Sequence, residues 1–143
     1  RLFRLFLRPM TSKNLLLIPG KVRQLRLRRD LSQRTVAEEA FLAQTLLCAI
    51  EKGRKVAGTE QVERLGKTLG CGPEEIEQLK NLATHDQIID LMVQRYDEEY
   101  AEMMSLVVQA KAVLSQEELG QIKSLVRKCI SAKQLLEDPR SML

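Results

Sequence analysis

Gln44 and Thr45 stand a short distance ahead of Lys52, Arg54 and Lys55. A primary amide and a hydroxyl exchange hydrogen bonds, while ammonium and guanidinium groups neutralise anions. This is binding chemistry rather than bond-making chemistry. A Gln amide can meet both hydrogen-bonding groups of an adenine edge, and Thr can bond a base or touch a thymine methyl. Lys and Arg hold phosphates. The rest of the chain offers no paired acids, nucleophile–base pair or glycine-rich phosphate loop, so no enzymatic activity is expected. The single histidine, His85, reads as a polar residue in the first turn of a helix. Cys48, Cys71 and Cys129 are far apart, odd in number and without a C-x-x-C pair. They are expected to be reduced thiols of a cytoplasmic protein, with no metal and no cofactor.

Residues 30–55 must position these groups. Ser32 can cap a helix over 33–40, on which Val36, Ala37 and Ala40 form a small apolar stripe. Phe41, Leu42 and Ala43 interrupt the charge pattern. A second helix over 44–52 carries Leu47 and Ile50 on one face. Gly53 then offers the left-handed position that ends many helices. Two short helices around a turn, the second leading into positive charge, form the plan of a helix-turn-helix DNA reader. Gln44 and Thr45 then lie at the tip of the reading helix. Lys52, Arg54 and Lys55 follow it, and Arg34 and Arg28 are lesser phosphate candidates.

The segment resembles the lambda-repressor-like (XRE-type) helix-turn-helix family. The resemblance is carried by Leu31-Ser32-Gln33, Val36-Ala37-Glu38 and Ile50-Glu51-Lys52-Gly53-Arg54-Lys55. It extends to Val22, Leu25 and Arg26 upstream, and to Val62, Leu65, Leu69-Gly70 and Leu79 downstream, covering residues 19–79. It implies a five-helix head that binds double-stranded DNA. It also implies that Gln33 anchors the DNA backbone, and that Arg26 pairs with Glu51 as a structural clamp between the first helix and the reading helix. The sequence departs from the family at several places. Phe41 stands where the turn usually has Gly, at about 1 kcal/mol if the backbone there is left-handed. Lys52 replaces the usual Asn. Leu46, Cys48 and Ala49 are apolar where readers commonly expose polar side chains.

The 143 residues, 44% hydrophobic with 3% aromatic and no Trp, suit helices packed through Leu, Ile, Val and Ala. Nine Lys/Arg against four Asp/Glu make residues 20–58 basic, whereas seven against ten make residues 85–143 acidic. That asymmetry fits a DNA-binding head on a protein-contacting tail. No apolar run approaches the ~18 residues that span a bilayer. The start, RLFRLFLRPM, reads as an extension ahead of Met10 rather than a membrane-surface segment.

The expected fold is all-α. An N-terminal extension (1–18) precedes a five-helix lambda-repressor-like helix-turn-helix domain (19–83), which a C-terminal α-helical hairpin (84–143) follows. The head includes a helix from near Pro19 to 29, one capped by Thr59, and one opened by Gly72-Pro73. In the hairpin, Thr84 to Gln87 is a capping-box pattern for a helix to about 114, and Ser115 to Glu118 is a second. The last helix carries Leu119, Ile122, Val126, Cys129 or Ile130, and Leu136. A hairpin alone leaves apolar stripes uncovered, so a homodimer through 84–143 is expected. The function implied is a bacterial or phage-type transcriptional regulator on a palindromic operator. The alternative is an adaptor or antitoxin that binds a protein partner through a helix-turn-helix scaffold with weakened base readout.

Overall fold

The computed structural model describes residues 15–136, with side chains to 134. The expectations for the N-terminal extension before residue 15 and for the Leu136 side chain lie outside the described residues. Among the described residues, the seven α-helices are α1 (Ile18–Arg28), α2 (Gln33–Glu39), α3 (Gln44–Glu51), α4 (Thr59–Thr68), α5 (Pro73–Arg95), α6 (Glu98–Gln109) and α7 (Gln116–Leu136). A 3₁₀ turn, Ala110–Ala112, follows α6. No strand occurs among the described residues, so the chain is all-α. It divides between Gln109 and Ala110 into two compact units, each described by itself.

In the first unit, α1 to α5 surround one apolar core. Val22, Val36, Leu47, Ile50, Val62 and Leu65 are fully buried at its centre. α2 and α3 pack on each other, with α1 against α3 and α4 against α2 and α5. Gly66 makes the last approach possible, since a Cβ there would stand 3.0 Å from Ile76 and 3.2 Å from Leu79. The first four helices end alike. In each, a residue with positive φ lets the following N–H reach a carbonyl five residues back. The bonds are Leu31 to Arg26, Leu42 to Ala37, Arg54 to Ala49 and Cys71 to Gly66, at 2.9–3.2 Å. Gly53 and Gly70 fill two of the left-handed positions, while Asp30 and Phe41 fill the others.

The helix starts follow their sequence signals with one shift. Ser32 accepts from the Thr35 N–H at 3.0 Å and caps α2. At α4 the cap is Gly58 rather than Thr59, with Gln61 Oε1 receiving the Gly58 N–H. Gly72-Pro73 opens α5.

The expected boundary at Thr84 is not there. α5 runs unbroken from Pro73 to Arg95, and the Thr84 hydroxyl donates back to the Lys80 carbonyl at 3.0 Å, as a mid-helix threonine does. Leu79, Ala83, Asp86 and Ile89 continue one buried face across the supposed boundary, and that packing outweighs local capping chemistry. The break comes instead at Tyr96, whose backbone is extended, and Asp97 caps α6 through the Tyr100 N–H at 2.8 Å. Among the described residues the head unit therefore has six helices, and what was expected as the first hairpin helix is the end of α5 followed by α6, both inside it. In the second unit the predicted capping box holds. Ser115 Oγ accepts from the Glu118 N–H, and Glu118 Oε1 from the Ser115 N–H, both at 3.1 Å. These bonds hold the Glu118 carboxyl below its ordinary pKa.

His85 is not a surface residue of a first turn. It is 2% exposed, beside Asp86 at 1% and Ser105 at 3%. Nδ1 lies 2.8 Å from Asp86 Oδ1, and Nε2 lies 2.7 Å from Ser105 Oγ. Asp86 also accepts the Leu17 and Ile18 N–H groups at 2.8 and 2.9 Å. α1, which has no side-chain cap of its own, thus takes one from α5, far along the chain. The Asp86 carboxylate brings no hydrogen of its own, so His85 Nδ1 donates to it, and the Ser105 hydroxyl meets the other ring nitrogen. The Gln109 amide donates to Ser105 at 3.0 Å and completes the network. These are the residue types of a hydrolytic triad, but they are enclosed and committed to joining α1, α5 and α6. Replacing Asp86 with Ala strands two helix-start N–H groups and the imidazole, and should lower the free energy of unfolding by about 3 kcal/mol. Denaturant unfolding of the variant measures this, and a change below about 1 kcal/mol would show that α1 needs no such cap.

Candidate nucleic-acid interface

Glu51 closes α3. Arg26 Nε donates to its Oε1 at 2.7 Å and Arg26 Nη2 to its Oε2 at 3.0 Å, a bidentate fork. The two side chains are 12% and 3% exposed. A second arm of the same arginine, Nη1, donates to the Leu31 carbonyl at 2.9 Å, at the entry to α2. Gln33 Nε2 donates to Glu51 Oε2 at 2.6 Å. One carboxylate therefore gathers α1, the start of α2 and the end of α3. Its hydrogen bonds raise the pKa of the Arg26 guanidinium, against the lowering effect of burial.

The clamp fixes which side of α3 faces out. Leu47 and Ile50 enter the core. Gln44, Thr45 and Lys52 are exposed, and Cys48 and Ala49 are half-buried between them. By helical periodicity these five share one face. Leu46 departs from expectation: it turns away from that face and packs on the edge of the core with Leu42. The outward face is thus less apolar than a linear reading of the helix suggests, with Cys48 and Ala49 as its apolar centre. Arg54 and Lys55 follow in the loop and are exposed. Among the described residues, no carboxylate lies within ion-pair distance of Lys52, Arg54 or Lys55. Arg34 differs, since Glu38 one turn along α2 takes its Nε at 2.9 Å, both residues being exposed. That pairing raises the Arg34 pKa and engages the charge. Gln33 is half-buried, with one amide hydrogen bond already spent on Glu51.

The turn between α2 and α3 holds Phe41 at φ +56° with the side chain 84% exposed. The Arg64 guanidinium donates to its carbonyl at 3.4 Å. A left-handed backbone costs a non-glycine residue about 1 kcal/mol or more, and an exposed ring recovers little of that by packing. The buried network of His85, Asp86 and Ser105, and the shared role of Glu51 with Gln33, were both missed by sequence reasoning. The first left no local signal, since its members join three helices. The second was suggested in part by the motif spacing, which brings Arg26 to Glu51 but is silent on Gln33.

Residues 20–79 match a family described as a helix-turn-helix domain. The chain is also 32% identical over 79 residues to control protein C.BamHI of Bacillus amyloliquefaciens, covering 54% of this chain and 98% of the relative. The chain belongs to the helix-turn-helix family. It is a DNA-binding transcriptional regulator of that family, with α2 and α3 as its helix-turn-helix. No solved structure matches the chain. No described helix is long and apolar enough to cross a membrane. Among the described residues, no group of three or more His, Cys, Asp or Glu is gathered as for a metal ion. The Cys71 thiol is pushed up in pKa by burial and by Glu75, which lowers its reactivity at neutral pH.

If the clamp holds the helix-turn-helix together, replacing Glu51 with Ala should cost about 3 kcal/mol of stability, because the Arg26 charge is left half-enclosed and unpaired. The double variant with Arg26→Ala should lose less than the sum of the single losses, by about 1 kcal/mol or more. Equilibrium unfolding of the four proteins in the cycle measures both quantities. Strict additivity would show that the two side chains act independently.

Proposed function

We propose that this helix-turn-helix protein represses or activates transcription by binding a palindromic operator as a homodimer through residues 84–143. The outward face of α3 enters the major groove. The single observation that supports this reading best is the pairing of Gln44 and Thr45, exposed at the start of α3, with three exposed cations just past its end that no carboxylate among the described residues engages. Polar groups sit where base edges are read, and unneutralised charge sits where phosphates pass. Gln33 and Arg34 add backbone contacts. Arg34 must leave Glu38 to do so, and Gln33 keeps one amide hydrogen for a phosphate while the other holds Glu51. The name of the relative, a control protein, agrees with a regulatory role. Two heads on two half-sites lie about one helical turn apart, ~34 Å. Such a regulator works in the cytoplasm of a bacterium or in a phage-infected cell. A second reading is favoured by Cys48 and Ala49 at the centre of the face and by the exposed Phe41. In it the scaffold binds a protein partner, as an adaptor or antitoxin does.

Duplex binding measured across a salt series separates the two. Several phosphate contacts predict a fall in affinity of about tenfold or more between 50 and 200 mM salt. In the same assay, Gln44→Ala should relax sequence preference by about 1–3 kcal/mol at one base pair, whereas Arg54→Ala should weaken all sequences alike and flatten the salt slope. Absent binding to every duplex would favour the protein-partner reading. Unchanged binding in both variants would move the interface off α3.

A further inference from the structure

α6 is apolar on two sides. Ala101 and Ser105 face the head and are buried. On the opposite side Tyr100, Met103 and Val107 recur at i, i+3 and i+7 and are 45%, 47% and 41% exposed. Glu99 and Glu102, both exposed, border that stripe. α7 carries a counterpart. Leu119, Ile122, Val126 and Ile130 form one stripe, each at least 36% exposed, and Lys123 and Arg127 border it. Within its own unit α7 is accompanied among the described residues by one 3₁₀ turn, whereas most of a helix's stability in a protein comes from packing its apolar face. The lengths match as well. From Leu119 to Ile130 a helix rises about 17 Å, and the 12 residues of α6 span about 18 Å. Both helices lie outside the segment that matches the helix-turn-helix family.

We propose that the acid-bordered apolar face of α6 receives the base-bordered apolar face of α7 from a second copy of this chain. The inference rests on the homodimer reading and names its surfaces. One chain carries both halves of the match, so two chains satisfy it twice around a two-fold axis. Opposite borders also discourage α6 from pairing with α6 and α7 with α7, because like charges would then meet.

Charge reversal in the full-length chain tests this without DNA, by sedimentation equilibrium. One variant carries Glu99→Lys and Glu102→Lys, and the other carries Lys123→Glu and Arg127→Glu. All four positions are exposed, and circular dichroism verifies that helix content is kept. The wild type should be a dimer, and each variant alone should dissociate about tenfold or more readily. An equimolar mixture of the two should restore dimers of near wild-type strength, because each α6 then meets an α7 of opposite charge. Failure of the mixture to recover, with both variants weakened, would overturn exchange between copies in favour of closure within one chain. Variants that dimerise like the wild type would overturn the surfaces named here and leave the homodimer reading standing. A wild type that stays monomeric would overturn both.

Discussion

The Glu51 carboxylate is the constraint on which the head depends. It receives two bonds from Arg26 and one from Gln33, so a single side chain at the end of α3 fixes α3 to α1 and to the start of α2. The reading helix is short, with eight residues, and a helix of that size does not hold itself in water. Two supports hold it. Leu47 and Ile50 bury its inner face, and the clamp fixes its end. An enclosed charge that lost its partner would be costly, so the pair admits few alternative arrangements. Orientation follows from that. With the inner face and the C-terminal end both fixed, Gln44, Thr45 and Lys52 have one direction to face.

A second polar network carries the constraint outward. α1 supplies Arg26 to the clamp, and its first N–H groups are held by Asp86 on α5. His85 and Ser105 join that carboxylate to α6. The clamp is therefore positioned by a helix whose own start is tied to the region beyond the family's matched segment. Both networks are nearly closed to water and have their donors and acceptors matched, which is the condition under which buried polar groups specify one arrangement. Phe41 is the exception to this economy. It occupies a left-handed turn where Gly would fit without strain, and its ring is left in solvent. No contact within the described residues explains it.

Much of the head was legible in the sequence because its signals are local. Ser32 as a cap, Gly53 and Gly70 as helix ends, Gly72-Pro73 as a start, and the spacing of Val36, Leu47 and Ile50 each act within a few residues of themselves. The pairing of Arg26 with Glu51 became legible only through the register of the whole motif. Thr84 misled for a physical reason. Its capping pattern is real, but a helix already propagating gains more from burying Ala83, Asp86 and Ile89 than it would from restarting. His85 was misread for a related one. Burial that arises from three helices meeting leaves no trace in the residues beside it, and a histidine between a threonine and an aspartate looks like surface. Leu46 shows the same limit at the candidate site. Linear order placed it among the outward residues, while the helical period sets it beside Ile50 at the edge of the core.

The account's central claim is that this face of α3 reads base edges at two related half-sites. Selection of bound duplexes from a random-sequence pool by the full-length protein tests it most directly. The predicted outcome is an enriched inverted repeat with half-site centres about one helical turn apart, ~34 Å. A pool that emerges without any enriched sequence, or with one unrepeated site, would contradict the claim.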